Sequence, residues 1–521
     1  MNLTTQTSST LFNHKKDYFC FLLFNTLFGI LLYLTLLSQQ LTNHHDALWM
    51  DSYFMSGYWE LSIGRWFWLV LDRLRFGISS DPFNSYLTLF LIVLGNTALL
   101  DLLSVIGKKR AYLFSFMILA STTICCFLSY RYMSPTFGLS YLLSIASIWV
   151  LLRYTRKLAG IIISTTLLVL SLGLYQANLG CACLLILIAI ILMCFNNIDC
   201  RKILHFVSAC AFSIIAACII YKIIWDMALA FFHYPASSYN GANNVSVTTI
   251  IMNLPRQIIK SYTIFYTYFF TNRFKHSMMQ NFYFYGIIFI FILSVLLWSA
   301  NIHLRNRWQH IILFCASIIC IPVACNISVL LAPEAGFLLQ QTAPMAILLP
   351  TLLCLISTLP EKNISQSMVK IITVALSAAI LYGNIYMTAV DLEVMDEGKT
   401  STETLLNNVV HTLIEENLYH NDKTYIFIGK PSENPLFYKS NLWSTANSYA
   451  RFGDIWTNGD SIYGSYHGIL RNIGVSMNIC LANEYTEYKT LEEIQDMPVY
   501  PAPDSIQEIN GYIVIKISDA Y

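Results

Sequence analysis

YFCFLLFNTLFGILLYLTLL, residues Tyr18–Leu37, is a run without a single charged side chain. A helix rises about 1.5 Å per residue, so a run of this length crosses the roughly 30 Å hydrocarbon core of a bilayer. Lys15 and Lys16 precede it and no small-residue cleavage site follows, which predicts a retained signal-anchor. Ten more apolar runs follow: Tyr86–Ile106, Ala111–Leu128, Phe137–Leu152, Leu158–Leu174, Leu179–Phe195, Ile203–Ile224, Phe282–Ala300, Ile311–Leu331, Met345–Leu359 and Ile371–Val390. The sequence therefore predicts an α-helical polytopic membrane protein with about eleven spans. Composition agrees, with 56% hydrophobic and 12% charged residues among 521, against about 25% charged in soluble domains.

Lys and Arg in short loops stay on the cytoplasmic side. With the N-terminus inside, the inside loops hold Lys108, Lys109 and Arg110, then Arg153, Arg156 and Lys157, then Arg201 and Lys202, then Arg305 and Arg307, then Lys362 and Lys370. The intervening short loops hold only Arg131. An odd number of spans then puts the C-terminus outside, together with two long loops, Ser38–Ser85 and Trp225–Asn281. Function is expected on that face.

Residues 1–390 are thus expected to form a membrane domain and residues 391–521 a small outer domain. A helix is predicted over Ser401–Glu416, with strands at Thr424–Gly429 (TYIFIG) and Gly511–Ser518 (GYIVIKIS), where alternation and β-branched residues favour extended chain. The net charge of +1 disfavours a nucleic-acid partner, which needs a basic footprint. Cysteines lie mostly inside apolar runs, without zinc-ligand spacing, and read as small packing residues.

The first long loop contains His44–Arg75, HHDALWMDSYFMSGYWELSIGRWFWLVLDRLR, which sets Asp46, Asp51, Glu60, Arg65, Asp72, Arg73 and Arg75 among aromatics. A carboxylate in a low-dielectric cleft has a raised pKa and can take a proton from a hydroxyl, so Asp46 and Asp51 are candidate bases. Either could equally cap a helix. Gly57 and Gly64 predict two short helices with a break, the second over Trp66–Phe76 and suited to a membrane interface. Arg65 there could grip a phosphate through charge-assisted hydrogen bonds, or merely sit at the interface. Further candidates are Glu60, Arg131 and Tyr132 in the loops, and Tyr175 and Gln176 at a span end, where capping or helix-helix hydrogen bonding is the alternative. In the second long loop Arg256 and Lys260 are four residues apart, on one face of a predicted interfacial helix. Missing are a Gly-Lys-Ser/Thr phosphate loop, a His-Glu-x-x-His, a Gly-x-Ser-x-Gly and an Asp-x-Asp pair.

Three stretches, SGYWELSIGRW (Ser56–Trp66), SLGLYQANL (Ser171–Leu179) and MPVYPAPDSIQEINGYIVIKIS (Met497–Ser518), resemble the Gtr-type O-antigen glucosyltransferases of enterobacteria and their phages, the glucosyltransferase type II family. The resemblance implies a GT-C type fold in the bacterial inner membrane, multi-pass, with a periplasmic C-terminal α/β domain. It implies transfer of a sugar, commonly glucose, from undecaprenyl phosphate to lipid-linked O-antigen on the periplasmic side, inverting and without a metal or other cofactor. Membrane lipid, a donor-synthesising transferase and a flippase are the accompanying partners. By the same resemblance the base is Asp51 or, failing it, Asp46. The family often has two adjacent acids here, whereas these are separated, and its usual proline after Gly-Arg is Trp66. Arg65, Arg131 and Arg256 are then candidates to hold the leaving phosphate.

Two other classes remain open from the residues. A transporter or flippase predicts charge deep within several spans, where Asn96 and Asp101 are the main polar exceptions. An O-antigen polymerase predicts large central loops without a long C-terminal domain.

Overall fold

The computed structural model describes residues 15–43, 53–106, 108–154, 157–239, 247–270, 308–332, 336–358, 364–454 and 459–520, with a few single positions between them. Its helices, numbered within these residues, are α1 Lys15–Leu32, α2 Leu34–Gln39, α3 Tyr58–Ser62, α4 Trp66–Leu74, α5 Phe83–Leu102, α6 Lys109–Leu119, α7 Thr122–Ser129, α8 Ser134–Tyr154, α9 Leu158–Leu174, α10 Leu179–Phe195 and α11 Cys200–Phe232. Then come α12 Val247–Phe270, α13 Trp308–Cys325, α14 Ser328–Leu331, α15 Ala343–Thr358 and α16 Ile364–Glu415.

Among the described residues six stretches are helical, long and apolar enough to cross a membrane: Phe83–Leu102, Ser134–Tyr154, Gln176–Phe195, Cys200–Phe232, Trp308–Cys325 and Ile371–Glu415. A seventh is the pair α6 and α7, bent by 54° at their break. Of the other expected spans, Leu158–Leu174 and the helix from Ala343 are shorter apolar helices, and α1 begins with the charges of Lys15, Lys16 and Asp17. The expected span Phe282–Ala300 lies outside the described residues.

Apolar burial does little to select helix partners inside lipid, so polar contacts worth about 0.6 kcal/mol each on average specify the pairing. Asn96 on α5 accepts from Tyr141 Oη at 2.7 Å and donates to Ser115 Oγ at 3.1 Å, joining α5, α8 and α6. Asp101 accepts from Trp149 Nε1 at 2.7 Å and also meets Arg153 and the Tyr18 hydroxyl, joining α5, α8 and α1. Asn96 and Asp101 are therefore committed to structure.

The break between α6 and α7 strands carbonyls that lipid cannot satisfy. Three side chains from other helices reach them. Tyr33 Oη donates to Leu119 O at 2.6 Å, Asn384 Nδ2 to Met117 O at 3.2 Å, and Thr388 Oγ1 to Ala120 O at 3.0 Å.

The helix predicted over Ser401–Glu416 is the last part of α16, which runs unbroken for 52 residues, roughly 78 Å at the helical rise. The change of composition near Val390 marks a change of surroundings, and the backbone continues through it. Beyond α16, strands β1 Thr424–Ile428, β2 Asn478–Ile479, β3 Ile506–Ile509 and β4 Tyr512–Lys516 form a sheet in the order β2-β1-β4-β3. β1 is parallel to both neighbours, and β3 and β4 make an antiparallel hairpin. Asn510 and Gly511 both have positive φ at its turn, the pair a two-residue hairpin favours. Tyr425, Ile426, Phe427, Ile428, Ile513, Val514 and Ile515 are buried there, as a parallel sheet covered on both faces requires.

This C-terminal part is clamped to α16. Buried Asp391 accepts from the Asn447 backbone N–H at 2.9 Å, Asn447 Nδ2 at 2.8 Å and Tyr449 Oη at 2.6 Å. Glu397 accepts from the Ser440 N–H at 2.7 Å, and Lys399 Nζ donates to Gln39 O at 2.8 Å, tying α16 to the end of α2. All fourteen cysteines are free thiols.

Candidate functional site

The first long loop folds into two short helices, α3 and α4, as the glycines at 57 and 64 predict. The Glu60 carboxylate accepts from the Gly57 N–H at 2.8 Å, closing the first turn of α3. At Gly64 the chain reverses with φ of +87°, and the Arg65 N–H donates back to Glu60 O at 2.8 Å. α4 then starts at Trp66.

Three groups from other elements fasten this reversal. Gln176 Nε2 donates to Ile63 O at 2.9 Å and contacts Tyr221 Oη at 2.9 Å. Trp225 Nε1 donates to Leu61 O at 2.7 Å, and the Ser237 N–H donates to Ser62 O at 2.9 Å. The turn therefore sits against the end of α9 and against α11 with its following segment.

Arg65 projects from the reversal into an aromatic frame. Its guanidinium carbon is 5.2 Å from the Tyr175 ring centre and 5.9 Å from that of Trp68, distances at which a cation is attracted to the ring. Its Nε is buried without a hydrogen-bond partner. Glu60 lies close enough that Arg65 eases its ionisation, yet burial dominates and holds its carboxyl above the usual carboxylate value. Tyr132 stacks on Trp68 at 6.0 Å and contacts Phe54 at 4.3 Å, so it supports the frame from behind.

Asp72, which the sequence does not single out as a site residue, straps the loop to α4. It is buried, accepts from the Ser56 N–H at 2.8 Å and Trp68 Nε1 at 3.1 Å, and pairs with Arg75 at 2.7 Å. Burial raises its pKa, with Arg75 opposing. Arg75 in turn donates to Tyr132 O at 3.1 Å.

The remaining expected cations sit differently. Arg131 is buried and pairs with Asp81 at 2.8 Å, also reaching Gln40 Oε1 at 3.4 Å. Its charge is already matched. Arg256 and Lys260 do share α12, which packs mainly on α13 and α14. Arg256 is exposed; Lys260 is half-buried and its pKa is lowered by burial and by Arg256, with Glu334 opposing. The structure thus gathers Glu60, Arg65, Tyr175 and Gln176 about one turn, places Tyr132 behind it, and leaves Arg131, Arg256 and Lys260 elsewhere.

Asp46 and Asp51 lie outside the described residues. The chain on either side of them is held: Asn43 bonds to Ser129 through its N–H and its side chain, both at 3.1 Å, and the Phe54 N–H donates to Gly77 O at 2.8 Å. Tyr221 and Trp225, in and just after an apolar run, escape a sequence reading because nothing there distinguishes a residue that bonds a distant loop, and Asp72 because its partners Ser56 and Trp68 are set only by the fold.

No curated protein and no solved structure matches this chain. Residues 34–342, which include the loop, the Gln176 turn and α11, match the family model described as Glucosyl transferase GtrII. That match covers more than half of the 521 residues, and the chain belongs to the GtrII glucosyl transferase family.

Proposed function

We propose that this membrane glycosyltransferase moves a glucosyl unit from undecaprenyl phosphate to a hydroxyl of lipid-linked O-antigen at the outer face of the bacterial inner membrane. The observation that carries the reading is Arg65: a guanidinium framed by Tyr175 and Trp68, with its Nε buried and unbonded, in the loop that follows Asp51. Arg75 and Arg131 each have a carboxylate partner. A preformed cation with no ion pair at salt-bridge distance among the described residues suits a phosphate that gains negative charge as it leaves.

In this scheme the carboxylate of Asp51, or of Asp46, takes the proton of the acceptor hydroxyl. The hydroxyl oxygen attacks the anomeric carbon from the side opposite the phosphate, the carbon-oxygen bond to phosphate breaks, and the configuration inverts. Polyprenyl phosphate leaves with the electron pair and stays beside Arg65, and no metal takes part. The basic loops support an N-terminus inside and residues 391–521 outside, where the C-terminal part would contact the acceptor. Asn96 and Asp101 have structural partners, which weakens a transporter reading.

The test is transfer from labelled undecaprenyl-phosphate glucose in membranes holding the full chain. Arg65→Gln is expected to lower kcat by about 10²-fold or more, and Asp51→Asn by about 10²- to 10⁴-fold. Normal transfer by Asp51→Asn and Asp46→Asn together would remove the assigned base.

A further inference from the structure

Carbohydrate-binding proteins take the C–H face of a sugar ring onto an aromatic ring that has one face open. In the C-terminal part Trp443, Tyr449 and Tyr466 are buried, so those rings serve packing and offer no such face. Beside the Arg65 turn the situation is reversed. Tyr58 and Trp59 on α3 are 46% and 48% exposed, and Tyr234 and Tyr239, just after α11, are 38% and 40% exposed.

These four rings form two edge-to-face pairs across two segments far apart in sequence. Trp59 meets Tyr239 with centres 5.4 Å apart, and Tyr58 meets Tyr234 at 5.1 Å. Such pairs are worth roughly 0.5–1.5 kcal/mol beyond area burial, and each ring keeps at least one face that its partner does not cover. The segments themselves are tied by the Ser237 N–H on Ser62 O, and the Tyr239 N–H on Ser237 Oγ at 3.1 Å fixes the turn of the second segment. Interfacial aromatics that only face headgroups are scattered around a girdle. Here they pair across two segments, Tyr58 and Trp59 being next in sequence to Glu60, and Tyr239 lying within electrostatic range of Tyr175, the residue that frames Arg65.

We infer that Trp59 and Tyr239 form a shelf that binds a pyranose ring of the acceptor saccharide by stacking. This rests on the glycosyltransferase reading for the word acceptor, and on the ring geometry alone for the saccharide. Stacking orients a ring without reading each hydroxyl, so the shelf would set where the attacked hydroxyl lies relative to the anomeric carbon held near Arg65.

Two measurements on the detergent-purified full chain test it. The first is binding, without turnover, of soluble oligosaccharide cut from an O-antigen polysaccharide. Trp59→Ala and Tyr239→Ala are each expected to weaken it by roughly tenfold, while Trp59→Phe retains most of it. The second is steady-state transfer, where the same alanine variants should raise the acceptor KM by a similar factor and leave the KM for undecaprenyl-phosphate glucose unchanged. Unchanged oligosaccharide binding by both alanine variants overturns the shelf, as does a rise in donor KM alone. Loss of oligosaccharide binding in a chain that transfers no glucose would leave the shelf standing and refute the glucosyltransferase reading instead.

Discussion

The hydroxyl of Tyr221 occupies the space that a side chain at Gly64 would need: a Cβ built there would lie 2.0 Å from Tyr221 Oη and 2.9 Å from Gln176 Nε2. Gly64 is also at φ of +87°, where any other residue is strained. Gly64→Ala should therefore destabilise the protein by about 2 kcal/mol or more, since strain and overpacking each cost about 1–3 kcal/mol. Part of that is steric and part conformational. The Gly64→Ala, Tyr221→Phe pair should recover the part of the steric cost due to the Tyr221 hydroxyl and none of the conformational part, which apparent melting of the purified protein in detergent can separate.

Arg131 and Asp81 make a pair with side chains 8% and 3% exposed. Removing one partner of a buried pair leaves an unmatched charge and costs about 3–5 kcal/mol, whereas removing both is often close to neutral. Arg131→Met should lower the melting temperature sharply, and adding Asp81→Asn should restore much of it. The kcat of the double variant should stay near that of the wild type, in contrast to Arg65→Gln. An isolated fall in kcat for Arg131→Met, without loss of stability, would return Arg131 to the phosphate site.

Glu60 gives a pH signature whose sign follows from burial. Its pKa is raised in the fold above the ordinary value of 4.5, so between those two values the folded state binds more protons than the unfolded one. Its stabilising contribution is complete below the unfolded value and is lost as pH rises through the folded one. Asp72 shifts in the same direction from 3.8. Wild-type melting temperature should fall as pH rises above the ordinary carboxylate range through these groups, and Glu60→Gln should flatten part of the slope. The glutamine Oε1 can still accept from the Gly57 N–H, so the turn should persist; a slope unchanged by the substitution would mean that Glu60 ionises normally.

Much of this arrangement was legible in the sequence, because hydropathy, glycines and turn residues act locally. The break at Gly64, the helix over Trp66–Leu74 and the strands around TYIFI and YIVIK follow from such signals. So does the family, through the stretches around Gly64 and Gln176. Long-range bonding was not legible. Nothing near Arg131 in sequence announces Asp81, fifty residues earlier, and nothing in the apolar run of α11 marks Tyr221 and Trp225 as the residues that fasten the loop. Continuity of α16 past Val390 was missed because charged residues change where a helix is solvated without changing its backbone.

Asp391 is where that continuity bears on function. It is 1% exposed and receives three hydrogen bonds, two from Asn447 and one from Tyr449, and hydrogen bonds to a charged group are worth about 1.5–3 kcal/mol each. Asp391→Ala removes all three acceptor contacts at once and leaves Asn447 and Tyr449 without them. The segment around residues 440–450 should then loosen from α16, while the sheet, whose core is formed by β1 and β4, keeps its own packing. Hydrogen exchange should show faster exchange at residues 440–450 with protection of residues 424–428 and 512–516 retained. Asp391→Asn, which keeps an acceptor oxygen of the same shape, should give a smaller effect. Equal exchange in the alanine variant and the wild type would show that α16 holds this segment through other contacts, such as Glu397 with the Ser440 N–H.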